Sequence, residues 1–281
     1  MTQAARAYSY FPGCTLATTA VDYDLSGRAV AAALGLELNE VPDWNCCGAT
    51  FPLSAENVMS FIAPARVLIA AERSGHDLAT LCAVCFHVLK RSDAYLRAHS
   101  EAAERLNAFV TEGDYTGQTR VRHLLGVVRD DVGWEAVKQR VAAPLTGLAA
   151  APYYGCLLLR PQEEMEFDQA ERPRVLQDLL RVLGATPVEF PRQAECCGST
   201  LVVSAPDANR RLSTAVVDSA RRAGAAMIVT ACPLCKYNLD QAQAGRPSPE
   251  QLPVAYFTQV MAAAFGMLQV AGPAFAVEAA T

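Results

Sequence analysis

A chain of 281 residues, 52% hydrophobic and 19% charged, has the balance of a packed globular protein and the length for two ordinary domains. That balance excludes an intrinsically disordered chain. A net charge of −5, a pI near 5.5 and no basic cluster longer than Arg221-Arg222 leave no field favouring nucleic acid or an anionic membrane surface.

Met1 to Pro12 holds one arginine and no apolar core of signal-peptide length. The chain is therefore expected in the reducing cytoplasm, where ten cysteines are more readily ligands than disulfides. Tyr8 to Phe11 reads as a short aromatic strand ended by Pro12-Gly13, with Cys14 just beyond the turn. The spacing of Leu25, Ala29, Val30, Ala33 and Leu34 predicts a helix over 23–34 stopped by Gly35. A short strand then reaches Pro42 and the pair Cys46-Cys47. After Gly48 come a small-residue turn at Ala49-Thr50, Ser54 as a candidate N-cap, and a long helix carrying Val58, Ile62, Leu68 and Ile69 to Gly75. Leu78 to Leu81 reads as a buried strand running into Cys82-Ala83-Val84-Cys85, and Phe86 to Ala98 as a helix.

Residues 101–150 contain no cysteine and have no counterpart elsewhere in the chain. Val121, Leu124, Leu125, Val128 and Val137 predict a helix over 120–141, and Gly113 to Gly117 an exposed loop, so the stretch is expected to be a helical connector. The earlier order then begins again. Ala151 to Tyr154 leads through Gly155 to Cys156, a helix over 175–183 stops at Gly184, and a strand reaches Pro191 and Cys196-Cys197-Gly198. Ser199-Thr200 turns, Ser204 is a candidate N-cap, and a helix with Leu212, Val216 and Val217 ends near Gly224. Met227 to Val229 is a buried strand that leads into Cys232-Pro233-Leu234-Cys235 and a helix over 236–244. Val254 to Val277 has no charge over 24 residues, yet its Thr258, Gln259, Gln269, Gly272-Pro273 and many alanines read as a buried strand and helix, not a membrane span.

This repeated alternation predicts an α/β fold of two tandem pseudo-symmetric repeats, each a small mostly parallel sheet with flanking helices. The boundaries are 1–100 for the first unit, 101–150 for the connector and 151–281 for the second unit. In such sheets sites gather at the carboxyl ends of the strands, where all ten cysteines are predicted to fall.

The cysteines repeat at a fixed offset of 150 residues for the pair and the C-x2-C, and 34 residues separate the second cysteine of each pair from its C-x2-C. With Cys14 and Cys156 upstream, every thiol is used, five per half, which points to two metal sites. Thiolates are soft ligands for zinc or iron-sulfur clusters. Four complete a structural zinc site or a cubane, so five per half is one too many for either. Adjacent cysteines in extended chain point apart, which strains a single-ion site but suits different irons of a larger cluster. Gly48 and Gly198 let backbone N–H groups approach the sulfurs, or simply form a turn with positive φ.

The patterns C-x31-C-C-x34-C-x2-C and C-x39-C-C-x34-C-x2-C, with Tyr10-Phe11-Pro12-Gly13-Cys14 and Tyr256-Phe257-Thr258-Gln259, resemble the duplicated cysteine-rich CCG domain of the B-type (HdrB) component of heterodisulfide reductase and its bacterial relatives. The resemblance runs from Tyr10 to about Gly266. It implies a non-cubane [4Fe-4S] cluster held by Cys14, Cys46, Cys47, Cys82 and Cys85, and another by Cys156, Cys196, Cys197, Cys232 and Cys235. It implies further that a disulfide is split between the two clusters, each supplying one electron. Electrons would come from a ferredoxin-like iron-sulfur subunit, similar to the HdrC component of heterodisulfide reductase, with a flavoprotein behind it. The chain itself has no ferredoxin cysteine run, no G-x-G-x-x-G and no P-loop.

Three functions are weighed on this sequence. The first is an oxidoreductase subunit that reduces or forms a small disulfide, active within a complex that is soluble or docked to a membrane through another chain. The second is an electron-transfer subunit of a succinate, fumarate, lactate or sulfur-oxidising enzyme, passing electrons to a quinone or a protein. The third is a module with one cluster and one structural zinc, against which the retention of all five cysteines in both halves argues. His87, two residues after Cys85, is a weak candidate proton donor to a leaving thiolate, set against a local hydrogen bond, with Tyr237 as its counterpart. His76, His99 and His123 read as surface residues, and Glu163-Glu164-Met165-Glu166 as a solvated acidic segment.

Overall fold

A computed structural model describes residues 6–49 and 58–275. Strand β1 (Arg6–Tyr10) leads through a helical turn at Gly13–Leu16 to helix α1 (Val21–Ala33) and strand β2 (Leu36–Glu40). A 3-10 turn at Val58–Phe61 opens α2 (Ile62–Ser74), which Gly75 stops in the left-handed conformation at φ 73°. Strand β3 (Leu78–Thr80) follows, then α3 (Ala83–Ala98), α4 (Ser100–Asn107) and β4 (Val121–His123). A short irregular helical stretch ends in α5 (Trp134–Gln139). The second half repeats the plan: β5 (Ala149–Tyr153), α6 (Val175–Val182), β6 (Thr186–Pro187), α7 (Leu201–Ser204), α8 (Pro206–Arg222), β7 (Met227–Thr230), α9 (Pro233–Gln241), β8 (Val254–Tyr256) and α10 (Phe257–Ala264).

The strands form two parallel four-stranded sheets, β2-β1-β3-β4 and β6-β5-β7-β8, with the same order in each half. The predicted repeat of small parallel sheets with flanking helices is the observed fold. Its central strands β3 and β7 are short and wholly buried, as parallel strands covered on both faces must be. The apolar stretch after residue 254 supplies edge strand β8 and the fully buried α10. Among the described residues no helix is long and apolar enough to cross a membrane.

Several local expectations change. The connector is not simply helical and does have a counterpart: Val121–His123 is the edge strand of the first sheet, pairing with β3 just as β8 pairs with β7. A three-residue strand inside a longer apolar pattern shows no period of its own, which is why it read as helix. Within the Gly113–Gly117 loop, Tyr115 is buried, and its hydroxyl donates to the Asp93 carboxylate at 2.6 Å. Leu25 and Leu212 lie exposed on their helices, whereas Tyr23 and Ser213 turn inward. Ser204 does not cap α8; Ala205 stands at the N-cap position with no side-chain cap, and Pro206 takes the first helical position. Thr50 and the N-cap expected at Ser54 lie outside the described residues.

The halves share one hydrophobic core. Tyr23 stacks on Tyr256 at 3.8 Å, the Ser26 and Thr258 hydroxyls meet at 2.7 Å, and Gln259 donates to Asp22 at 2.8 Å. On the other side of the interface the acidic run is not merely solvated. Lys90 pairs with Glu166 at 2.9 Å and Arg91 with Glu164 at 2.5 Å, while Met165 is buried. This interface brings the ends of β3 and β7 together.

Candidate metal centre

All ten thiols lie beyond the carboxyl ends of strands, as expected: Cys14, Cys46-Cys47 and Cys82 after β1, β2 and β3, and Cys156, Cys196-Cys197 and Cys232 after β5, β6 and β7. Each C-x2-C straddles a helix start. Cys82 and Cys232 are extended N-cap residues, and Cys85 and Cys235 follow in the first turns of α3 and α9. Both sulfurs of a C-x2-C thus sit at a helix amino terminus, which favours negative charge. Pro233 occupies the first helical position of α9, where its missing N–H costs nothing.

The sulfurs meet in pairs. Cys14 and Cys46 are 3.7 Å apart, Cys47 and Cys85 3.5 Å, and Cys197 and Cys235 3.5 Å. Cys156 lies near enough to Cys196, Cys82 to Cys85 and Cys232 to Cys235 for each thiol to shift its neighbour's protonation. Across the halves the Cys82 and Cys232 thiols lie near enough to shift each other's protonation, and a small pocket there is lined by Ala83 and Val84 together with Cys156, Cys197, Cys232 and Cys235. The ten thiols therefore form two sets of five that approach each other at Cys82 and Cys232.

Within these pairs one sulfur gains thiolate character at the other's expense. The Cys85 thiol lowers Cys47 to about 7, and the Cys156 thiol lowers Cys196 to about 6. Cys85 and Cys235 are raised, chiefly by their contacts with Cys47 and Cys197. Partial desolvation of its sulfur, with Cys47 and Cys14 beside it, raises Cys46 to about 11. Cys47, Cys82, Cys85, Cys197, Cys232 and Cys235 are buried, Cys156 and Cys196 half-buried, and Cys14 and Cys46 exposed.

The chemistry of this donor set fits iron-sulfur clusters. Soft donors gather without a competing hard ligand, and both halves keep a cradle that a β-carbon would fill. A Cβ at Gly13 would stand 2.9 Å from the Cys85 sulfur, and one at Gly155 3.1 Å from the Cys235 sulfur. Among the described residues no three His, Cys, Asp or Glu side chains close around a point suited to one ion.

In the second half the cysteine pair receives two N–H donors, of which the sequence reading expected Gly198 and missed Asn238. Asn238 donates to the Cys197 sulfur at 3.4 Å and to the Ser199 carbonyl at 3.1 Å, and the Gly198 N–H donates to the Cys196 sulfur at 3.3 Å. Gly198 takes φ +91°, so the turn and the N–H contact coexist. Position 88, which matches 238 at the repeat offset, is the buried Val88. Comparing the two copies position by position would have exposed this asymmetry.

The histidines divide differently from expectation. His76 and His99 are exposed, as read. His123 is not a surface residue: it is 1% exposed, and its Nε2 lies 2.8 Å from the Leu81 carbonyl and 3.4 Å from that of Ala231. A lone histidine in an apolar pattern gives no signal of burial until β4 is recognised. His87 is buried, with Nδ1 3.2 Å from the Leu157 carbonyl, and burial lowers its pKa. Tyr237, its counterpart, is exposed.

A parallel α/β repeat carrying five thiols per unit at its strand ends defines a duplicated cysteine-cluster protein. The family model described as CCG, cysteine-rich domain, matches residues 8–90 and 150–240, and the chain belongs to that family. It is 32% identical over 266 residues to the 8-methylmenaquinol:fumarate reductase membrane anchor subunit of Wolinella succinogenes, covering 92% of each chain. It is 29% identical over 270 residues to a B-type heterodisulfide reductase-like (HdrB-like) protein of Archaeoglobus profundus, covering 92% of this chain and 90% of that one. In fold it is similar to a crystal structure of a hypothetical protein from Helicobacter pylori, with a TM-score of 0.68 at 12% identity. That likeness covers 94% of this chain and 50% of the other.

Proposed function

We propose that the chain is the iron-sulfur subunit of a multi-subunit oxidoreductase and that its two sets of five cysteines each hold a non-cubane [4Fe-4S] cluster. The observation that carries this reading is the approach of Cys82 to Cys232 beside a pocket lined from both halves, which makes the two thiol sets neighbours. When bound, two such clusters supply one electron each, the stoichiometry for R–S–S–R′ plus two electrons and two protons going to two thiols. The chain's own residues contribute the remainder. The helix starts at Cys82 and Cys232 aim sulfurs at the shared interface, burial keeps water from six thiols, and Asn238 and Gly198 present N–H groups to sulfur. His87, buried beside the turn that carries Cys156, is the candidate to pass a proton to a leaving thiolate.

The substrate in this reading is a small disulfide, reduced or formed with electrons exchanged through a ferredoxin-like subunit backed by a flavoprotein. A second reading rests on a specific observation, the 32% identity to a subunit of a methylmenaquinol:fumarate reductase. There the clusters exchange electrons with a quinone, no disulfide is cleaved, and a partner or a surface contact holds the complex at the membrane. Iron and acid-labile sulfide analysis of anaerobically prepared protein tests the common part: about eight of each per chain is expected for two four-iron clusters. About four irons with one zinc would refute it. The purified complex is then offered a panel of disulfides and a menaquinol analogue. Thiol release supports the first reading, whereas quinol oxidation without thiol release replaces it by the second.

A further inference from the structure

We infer that His123 is a positioning residue that locks the two C-x2-C turns to each other across the interface between the halves. The inference deepens the reading above, because the turns it joins carry the proposed ligands, but the geometry stands without the metal. The Nδ1 of His123 accepts from the Leu125 N–H at 3.2 Å. With that nitrogen used as an acceptor, the ring proton of the neutral imidazole belongs on Nε2. Two acceptors face it, the carbonyls of Leu81 at 2.8 Å and Ala231 at 3.4 Å. These are the residues immediately before Cys82 and Cys232, one from each half, the two thiols that approach each other across the interface.

The ring has little freedom to leave. Phe86, Phe167 and Phe257 surround it with centroids at 5.8, 5.8 and 6.0 Å. One N–H shared between the two carbonyls therefore couples two backbone segments that no strand pairing connects. The matching position in the second half is Tyr256, which stacks on Tyr23, and the Tyr23 hydroxyl donates to the same Leu81 carbonyl at 2.8 Å. The first turn is thus held by two donors. Among the described residues, the bond from His123 is the side-chain contact that reaches the Ala231 carbonyl.

The test uses the full-length reduced chain without metal and a short bifunctional thiol reagent, dibromobimane, with the linked cysteine pairs mapped by mass spectrometry. The readout is the yield of the Cys82–Cys232 link relative to the Cys47–Cys85 and Cys197–Cys235 links within each half. His123→Phe fills the aromatic cage without a donor and is expected to lower that ratio about five-fold, the population shift that one hydrogen bond's net contribution sustains. His123→Gln keeps an N–H and is expected to restore most of it. If the Phe variant does not fold, His123→Leu, which also lacks a donor, takes its place. An unchanged ratio in the folded donor-free variant overturns the inference. In the anaerobically loaded chain the same variant is expected to change the magnetic interaction between the two centres at unchanged iron content. A wild-type chain that lacks two clusters but keeps the cross-link pattern would sink the functional reading and leave this inference intact.

Discussion

Gly198 follows the second cysteine pair at φ +91°, and two separate penalties meet there. A side chain in left-handed backbone costs about 1–2 kcal/mol. In addition, a Cβ at Gly198 would stand 2.8 Å from the Asn209 Cα and 2.7 Å from its Nδ2. The amide belongs to a side chain, but it is engaged with the Cys197 carbonyl at 3.3 Å, and the Cα belongs to the first turns of α8. The clash is therefore relieved by moving the amino end of α8, whose Asn209 carbonyl also accepts from the Ser213 hydroxyl at 2.6 Å. Forcing such a shift adds about 1–3 kcal/mol, so Gly198→Ala is expected to cost about 2–5 kcal/mol in all. Gly224 provides the control: its φ is +87°, but a Cβ there meets nothing within 4 Å. Gly224→Ala is expected to cost only the backbone share, about 1–2 kcal/mol. Urea unfolding of both variants without metal, followed by circular dichroism, compares them directly. Equal midpoints and slopes for the two would show that α8 does not press on the cysteine turn, and the close-approach argument would fail.

Burial lowers His123 to about 4 from the usual 6.5, so acid favours the unfolded chain, which binds this proton more readily. The associated stability is complete above the ordinary value and drains away as pH falls from there toward the folded one, to a limit of about 3 kcal/mol. His123→Gln should flatten that part of the stability profile; a variant as acid-sensitive as wild type in thermal melts would contradict the assignment. Asn238→Val, which copies position 88, removes the N–H from the Cys197 sulfur. It is expected to lower the reduction potential of the second-half centre alone, because hydrogen bonds to sulfur stabilise the reduced state. Redox titration followed by paramagnetic resonance checks this, and an equal shift of both centres would refute it. Tyr23→Phe deletes the donor to the Leu81 carbonyl but leaves His123 in place, so it should cost only about 1 kcal/mol in urea unfolding. A loss of several times that would mean that His123 does not satisfy the carbonyl by itself.

The repeat, the parallel α/β class and the ten thiols were legible in the amino-acid order, because each leaves a local mark. Cysteine spacing survives as plain arithmetic, glycines at 35, 75, 184 and 224 stop helices by their own backbone freedom, and the buried strands are unbroken apolar runs. Topology rules alone placed the thiols at strand ends. The residues that close the two halves on each other emerged only from the folded chain. Val121–His123 is too short to carry a period and becomes a strand because β3 offers it an edge. Glu164 and Glu166 read as solvated until Arg91 and Lys90, more than 70 residues away, come into reach. His123 gains its role from two carbonyls 42 and 108 residues distant in the chain. Such contacts depend on how apolar faces from separate segments pack, and no window of neighbouring residues encodes that.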